Sequence, residues 1–184
     1  SSSWTTKLVL TNILMFGLQS WIPRVTQWGV KLSSKILNGQ DLYRLVTPVF
    51  LHGNLIHLMM NMYSLQNLGP ITEQLFGNGR FISSYIVAGM TGNLLSAFMS
   101  PNPALGASGA IFGISGMLLT FLNRNDWLLG RQGEAMQTQV IQTLGVNLMY
   151  GFFNPSMYVS NEKKKTDLSS AVCNEDFLLF QFYI

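Results

Sequence analysis

The spacing of charge along this chain leaves few folds open. No Asp, Glu, Lys or Arg lies between Lys7 and Arg24, between Arg44 and Glu73, between Arg80 and Arg124, or between Glu134 and Glu162. A helix washed by water needs polar cover on at least one face, whereas hydrocarbon demands about 20 mostly apolar residues in a row. Charged residues make up only 10% of the chain and hydrophobic ones 48%, against roughly 25% charged in soluble domains. The pattern predicts an all-α, polytopic membrane helix bundle with spans at 4–22, 55–76, 81–99, 106–122 and 136–153. The widest gap holds two of these, separated by Pro101 and Pro103. A length of 184 residues fits one domain.

Several function classes drop out. The net charge of +3 is scattered over loops, and the aromatics sit inside apolar spans, so no nucleic-acid surface is expected. The single Cys173 excludes a disulfide framework within the chain. His52 and His57 have no third ligand nearby, and their HGNLIH spacing is not HExxH, so neither a metal nor another cofactor is expected. Asn12 and Gln19, polar members of the first span, should face protein.

Between 23 and 54, Arg24, Lys31, Lys35, Asp41 and Arg44 alternate with Trp28, Leu37, Leu42 and Tyr43. That alternation predicts an amphipathic segment lying in the membrane interface. The stretch 123–133, with Arg124, Asp126 and Arg131, reads as a solvated loop. A start at Ser1 without Met is expected of a fragment or of a chain whose first segment has been removed. After Pro155 the composition breaks into a charged polar run at 160–167, and the apolar stretch 177–184 is too short to span.

Chemistry concentrates at Gly106-Ala107-Ser108-Gly109. Two readings stand side by side. Ser108 is a nucleophile at the mouth of a membrane helix, or Gly109 and Gly113 form a small-xxx-small packing face on which the serine is incidental. Acyl transfer requires an activated hydroxyl, a base, and donors aimed at the developing oxyanion. His57 and Asn61, one helical turn apart on one face, could supply donors, with the Ser108 amide at a helix N-terminus as a third. Read alone, Asn61 fits an interhelical hydrogen bond as well, and Glu73 fits a charge at the interface.

Taken together, these motifs resemble the rhomboid family of intramembrane serine proteases, especially its plant plastid branch. Tyr43-Arg44 looks like the aromatic-Arg pair of the family's first loop, and His57-Leu58-Met59-Met60-Asn61 matches its HxxxN motif. Glu73 stands where a glutamate is common, and Gly106-Ala107-Ser108-Gly109 matches GxSG. The resemblance implies a six-helix bundle around a hydrated pit and cleavage of membrane-anchored proteins, hence transmembrane protein substrates, a lipid bilayer, and a multi-pass location in the plastid envelope. By position it implies Ser108 as nucleophile and His57, Asn61 and the Ser108 amide as the oxyanion hole. Phe112 falls where an aromatic often accompanies the catalytic histidine, and Gly109 and Gly113 fall on the face that receives the sixth helix. His52 is expected to make a supporting loop contact.

One element of the family pattern is missing. Its general base is a histidine on the sixth helix, yet no histidine follows His57 here, and the run Phe153-Asn154-Pro155 continues into Tyr158-Val159-Ser160-Asn161-Glu162. The expectation is therefore a rhomboid-like domain at 1–154 with about five of the six helices and a non-family tail at 155–184. Without its base a serine site loses about 10⁴ to 10⁶ in rate. Enzyme status stays open between an endopeptidase site that is inactive in this chain and a pseudoprotease that binds transmembrane partners without cutting them. An uncovered Gly109/Gly113 face would further favour oligomers.

Overall fold

The computed structural model describes residues 3–153, and the regular elements among them are all helical. Its elements are α1 (Trp4–Trp21), α2 (Arg24–Gly29), α3 (Ser33–Leu37), two short 3-10 turns (Leu42–Leu45 and Thr47–Phe50), α4 (Leu55–Phe76), α5 (Asn78–Met99), α6 (Ser108–Arg124) and α7 (Asp126–Phe153). The five long helices fall where the charge-free gaps place them. Among the described residues, α5 is the helix long and apolar enough to cross a bilayer on its own composition. The expected tail at 155–184 lies outside the described residues.

Helix α4 is the hub, packing against α1, α5, α6 and α7. Leu58, Met62, Leu65 and Leu68 of α4 share one core with Ile111, Ile114, Leu118 and Leu122 of α6 and with Phe81 and Tyr85 of α5. The polar residues of α1 are answered inside the protein, as expected. Asn12 is fully buried and donates to Leu8 O at 2.8 Å. Gln19 exchanges two hydrogen bonds with the backbone of His52, at 3.0 and 3.2 Å, and so ties α1 to the loop entering α4.

Glu73 anchors the start of α1. Its carboxylate accepts from Trp4 N (2.8 Å), Thr5 N (3.1 Å) and Thr5 Oγ1 (3.0 Å). The first amides of a helix have no intrahelical acceptor and carry the positive end of its dipole, so a carboxylate there is favoured twice over. Gly69, one turn earlier on α4, makes room for this joint, because a Cβ there would stand 2.7 Å from Thr5 Cγ2.

In the segment 23–54 two of the cations turn inward and the large apolar side chains outward. Lys31 is fully buried and Arg44 is 6% exposed, while Trp28, Leu37 and Leu42 are 62%, 47% and 53% exposed. Backbone carbonyls receive Lys31 and Arg44, whereas Arg24 and Lys35 stay exposed. Arg44 donates to Val30 O (2.7 Å) and Gln27 O (3.2 Å) and pairs with Asp41 (3.2 Å). Tyr43 stacks on Trp28 with ring centres 4.7 Å apart.

Burial lowers the Lys31 pKa from 10.5 to about 8. The folded value lies below the unfolded one, so the unfolded chain holds the proton more readily and stability rises with pH between about 8 and 10.5. Thermal unfolding in detergent is expected to show a Tm increment over that interval that Lys31→Met lacks. The same pH profile for both proteins would contradict the assignment.

A second departure concerns 123–133. Helix α7 begins at Asp126, breaks at Gly130 (φ 48°, ψ −133°) and then continues to Phe153. Asn125 O accepts from Leu128 N and Leu129 N, which starts a helical turn inside the expected loop, and the glycine supplies the positive φ that redirects it.

Candidate active site

Ser108 is the first residue of α6, and it is half-buried. The first intrahelical bond of α6 runs from Ile111 N to Ala107 O at 3.0 Å, and no side chain among the described residues caps the helix. The amides of Ser108, Gly109 and Ala110 are therefore without intrahelical acceptors, and they point along the positive end of the helix dipole. A developing negative charge beside the Ser108 hydroxyl would meet ready donors.

His57 stands on the first turn of α4, held by its neighbours on both sides. Asn54 caps the helix, its side-chain oxygen accepting from His57 N at 2.8 Å. The His57 ring meets His52 edge-on at 5.2 Å and stacks against Tyr150 of α7 at 6.4 Å. Tyr150 also donates to the Asn54 side-chain oxygen at 3.4 Å.

Gly106 brings the two halves together. Its φ is +134°, and a Cβ there would stand 2.9 Å from His57 Nε2, 2.7 Å from His57 Cε1 and 3.8 Å from Ser108 Oγ. The imidazole and the hydroxyl thus converge on one point, and only glycine leaves that point empty. The Gly106 amide donates to Pro48 O at 2.9 Å, which fixes the turn from the other side.

Asn61 lies one turn below His57 and is 1% exposed. Its amide nitrogen donates to His57 O at 2.9 Å, and its Oδ1 has no partner among the described residues. His57 Nδ1 is buried and unpaired as well. Buried polar atoms usually find partners, so these two, one turn apart on α4, keep unused hydrogen-bonding capacity there.

His52 plays the expected supporting part through its backbone. Both its ring nitrogens are buried without partners among the described residues. Burial, with the neighbouring His57, pulls its pKa down to about 3, so it stays neutral at ordinary pH.

The remaining expected site residues divide. Gly109 does not wait for a further helix, since a Cβ on it would sit 3.7 Å from Gly92 Cα of α5. Gly113 meets Ala88 of the same helix. The small face that the sequence offers to a sixth helix is the α5–α6 seam, where small residues let two backbones approach. Phe112, one turn past Ser108, is half-buried and has no ring partner among the described residues. Tyr43, Arg44 and Glu73 hold the frame through the contacts given above and do not reach Ser108. Tyr150 was not foreseen, and nothing in its local sequence marks it. The Asn54 cap was legible from an Asn three residues before His57.

Comparison with known proteins adds the family. The Rhomboid domain model matches residues 39–163. "Rhomboid protease GluP" of Bacillus subtilis (strain 168) is 35% identical over 158 residues, covering 82% of this chain and 30% of that protein. "RHOMBOID-like protein 6, mitochondrial" of Arabidopsis thaliana is 32% identical over 148 residues, covering 80% of this chain and 47% of the relative. "RHOMBOID-like protein 9, chloroplastic" of the same plant is 30% identical over 129 residues, 70% of this chain and 30% of the relative. The chain thus spans from about a third to a half of the length of these relatives.

Proposed function

Because this chain belongs to the rhomboid family, we propose that its Ser108 site is that of an intramembrane serine endopeptidase acting on membrane-anchored proteins. The carrying observation is the convergence of Ser108 Oγ and the His57 ring on Gly106, with three acceptor-free amides at the start of α6. Ser108 is the nucleophile. Its own amide, His57 and Asn61 form the side that receives the oxyanion. The rhomboid family is membrane-embedded, and the five long helices span the bilayer around a wet pit. The chloroplastic relative favours a plastid envelope for this chain.

These 184 residues hold two histidines, and His57 belongs to the oxyanion side. By themselves they lack the base that takes the Ser108 proton, so they bind transmembrane segments and do not turn over. A fluorophosphonate in lipid nanodiscs tests both parts. Labelling is expected to be slow, to rise about 100-fold when imidazole is supplied as base, and to vanish in Ser108→Ala. Equal labelling of Ser108→Ala would overturn the nucleophile. Fast labelling without imidazole would overturn the missing base.

A further inference from the structure

We propose that Lys31 is a positioning residue for Ser108, clamping the loop that delivers the nucleophile. The inference rests on the reading of Ser108 given above. Lys31 is buried outright, 77 residues before Ser108 in the chain, yet it touches the loop leading to it. Its Nζ donates to Ser33 Oγ (2.9 Å), Ser100 O (3.2 Å) and Ser96 O (3.3 Å). Ser33 Oγ donates in turn to Ser100 O at 2.6 Å. The ammonium thereby caps the last carbonyls of α5, where the helix dipole is negative.

The backbone of Lys31 completes the clamp. Lys31 N donates to Ala104 O at 2.9 Å, and Ala104 N returns a bond to Lys31 O at 3.4 Å. Ala104 lies four residues before Ser108, and between them Gly106 is tied to Pro48 O. The loop 100–107 is held at its start by the ammonium, in its middle by the Lys31 backbone, and next to the nucleophile by Pro48.

A serine–lysine dyad in its own right is excluded here. The Ser33 proton is committed to Ser100 O, and the pair is 0% and 5% exposed, so no reactant reaches it. No carboxylate contacts the ammonium among the described residues. The nearest charges along this segment are Arg44, on Val30 O, with its partner Asp41, and Lys35, on Gln40. A buried charge without an ion partner is costly, and an apolar chain of similar length would fold at least as well. What methionine could not do is hold three carbonyl and hydroxyl oxygens at fixed distance.

Stability and reactivity should therefore part company in Lys31→Met. Its Tm near neutral pH is expected to equal or exceed that of the parent, while imidazole-assisted phosphonylation of Ser108 per folded molecule falls about tenfold. Lys31→Arg, which keeps a charged donor, is expected to recover part of that loss. Unchanged labelling in Lys31→Met, or a loss that merely follows loss of folded protein, overturns the proposal. If the parent does not label at all, the protease reading fails and amide exchange decides the clamp separately. Exchange at 101–107 that is about tenfold faster in Lys31→Met, with α4 unchanged, upholds it, and identical exchange overturns it. Should Lys31→Met fail to fold, Ser33→Ala, which removes the Ser33 hydroxyl from between the ammonium and Ser100 O, is read in the same two ways.

Discussion

Gly106→Ala is expected to cut phosphonylation of Ser108 by about 100-fold and to destabilise the fold by about 3 kcal/mol. Two costs coincide. A φ of +134° is poorly tolerated by any residue with a Cβ, and that Cβ would stand 2.7 Å from the His57 ring. Relief requires the imidazole to swing toward His52 and Tyr150, which pack against it, or the turn to pull away from Pro48. Either movement separates Ser108 from its oxyanion side. Labelling rate and thermal unfolding of the purified variant check both numbers, and a variant with parental values would show that the ring and the turn are not in contact.

Removing the Glu73 carboxylate produces the largest effect expected outside the site. Glu73→Ala deletes three hydrogen bonds to the first turn of α1 and leaves two backbone amides there without acceptors. Hydrogen bonds to a charged group are the stronger kind, but this carboxylate is only half-buried, so the expected loss is about 2 kcal/mol. Glu73→Gln keeps an acceptor and loses the charge, and about 1 kcal/mol is expected. Unfolding by denaturant in micelles measures both. Reactivity of Ser108 per folded molecule should hold, because Glu73 reaches the N-terminus of α1 and not the catalytic turn. A drop in reactivity without a drop in stability would show that Glu73 acts on the site.

The sequence reveals the long helices more clearly than what lies between them. The second span, 55–76, matches α4 residue for residue, since a charge-free run entered by an Asn cap and closed at Gly77 has two unambiguous ends. In the 23–54 segment Lys31 and Arg44 turn inward while Arg24 and Lys35 stay exposed. Periodicity separates two faces but cannot say which meets protein, and the carbonyls that draw Lys31 and Arg44 inward belong to distant chain and to loop ends. For the same reason Gly109 and Gly113 were legible as a close-packing face while their partner, α5, was not. At the site, Ser108, His57, Asn61 and Gly106 were all named from local motifs. Tyr150 reaches His57, and Lys31 the loop before Ser108, across the fold, and no local pattern announces them.

The central claim, that Ser108, His57 and Asn61 form one acyl-transfer site, is tested most directly by following where a fluorophosphonate attaches and what holds its phosphoryl oxygen. Fragment mass spectrometry should place the adduct on Ser108. Its ³¹P resonance in nanodiscs should shift when Asn61→Ala or His57→Ala removes a donor. An adduct spread over other serines, or a Ser108 resonance indifferent to both substitutions, would contradict the account.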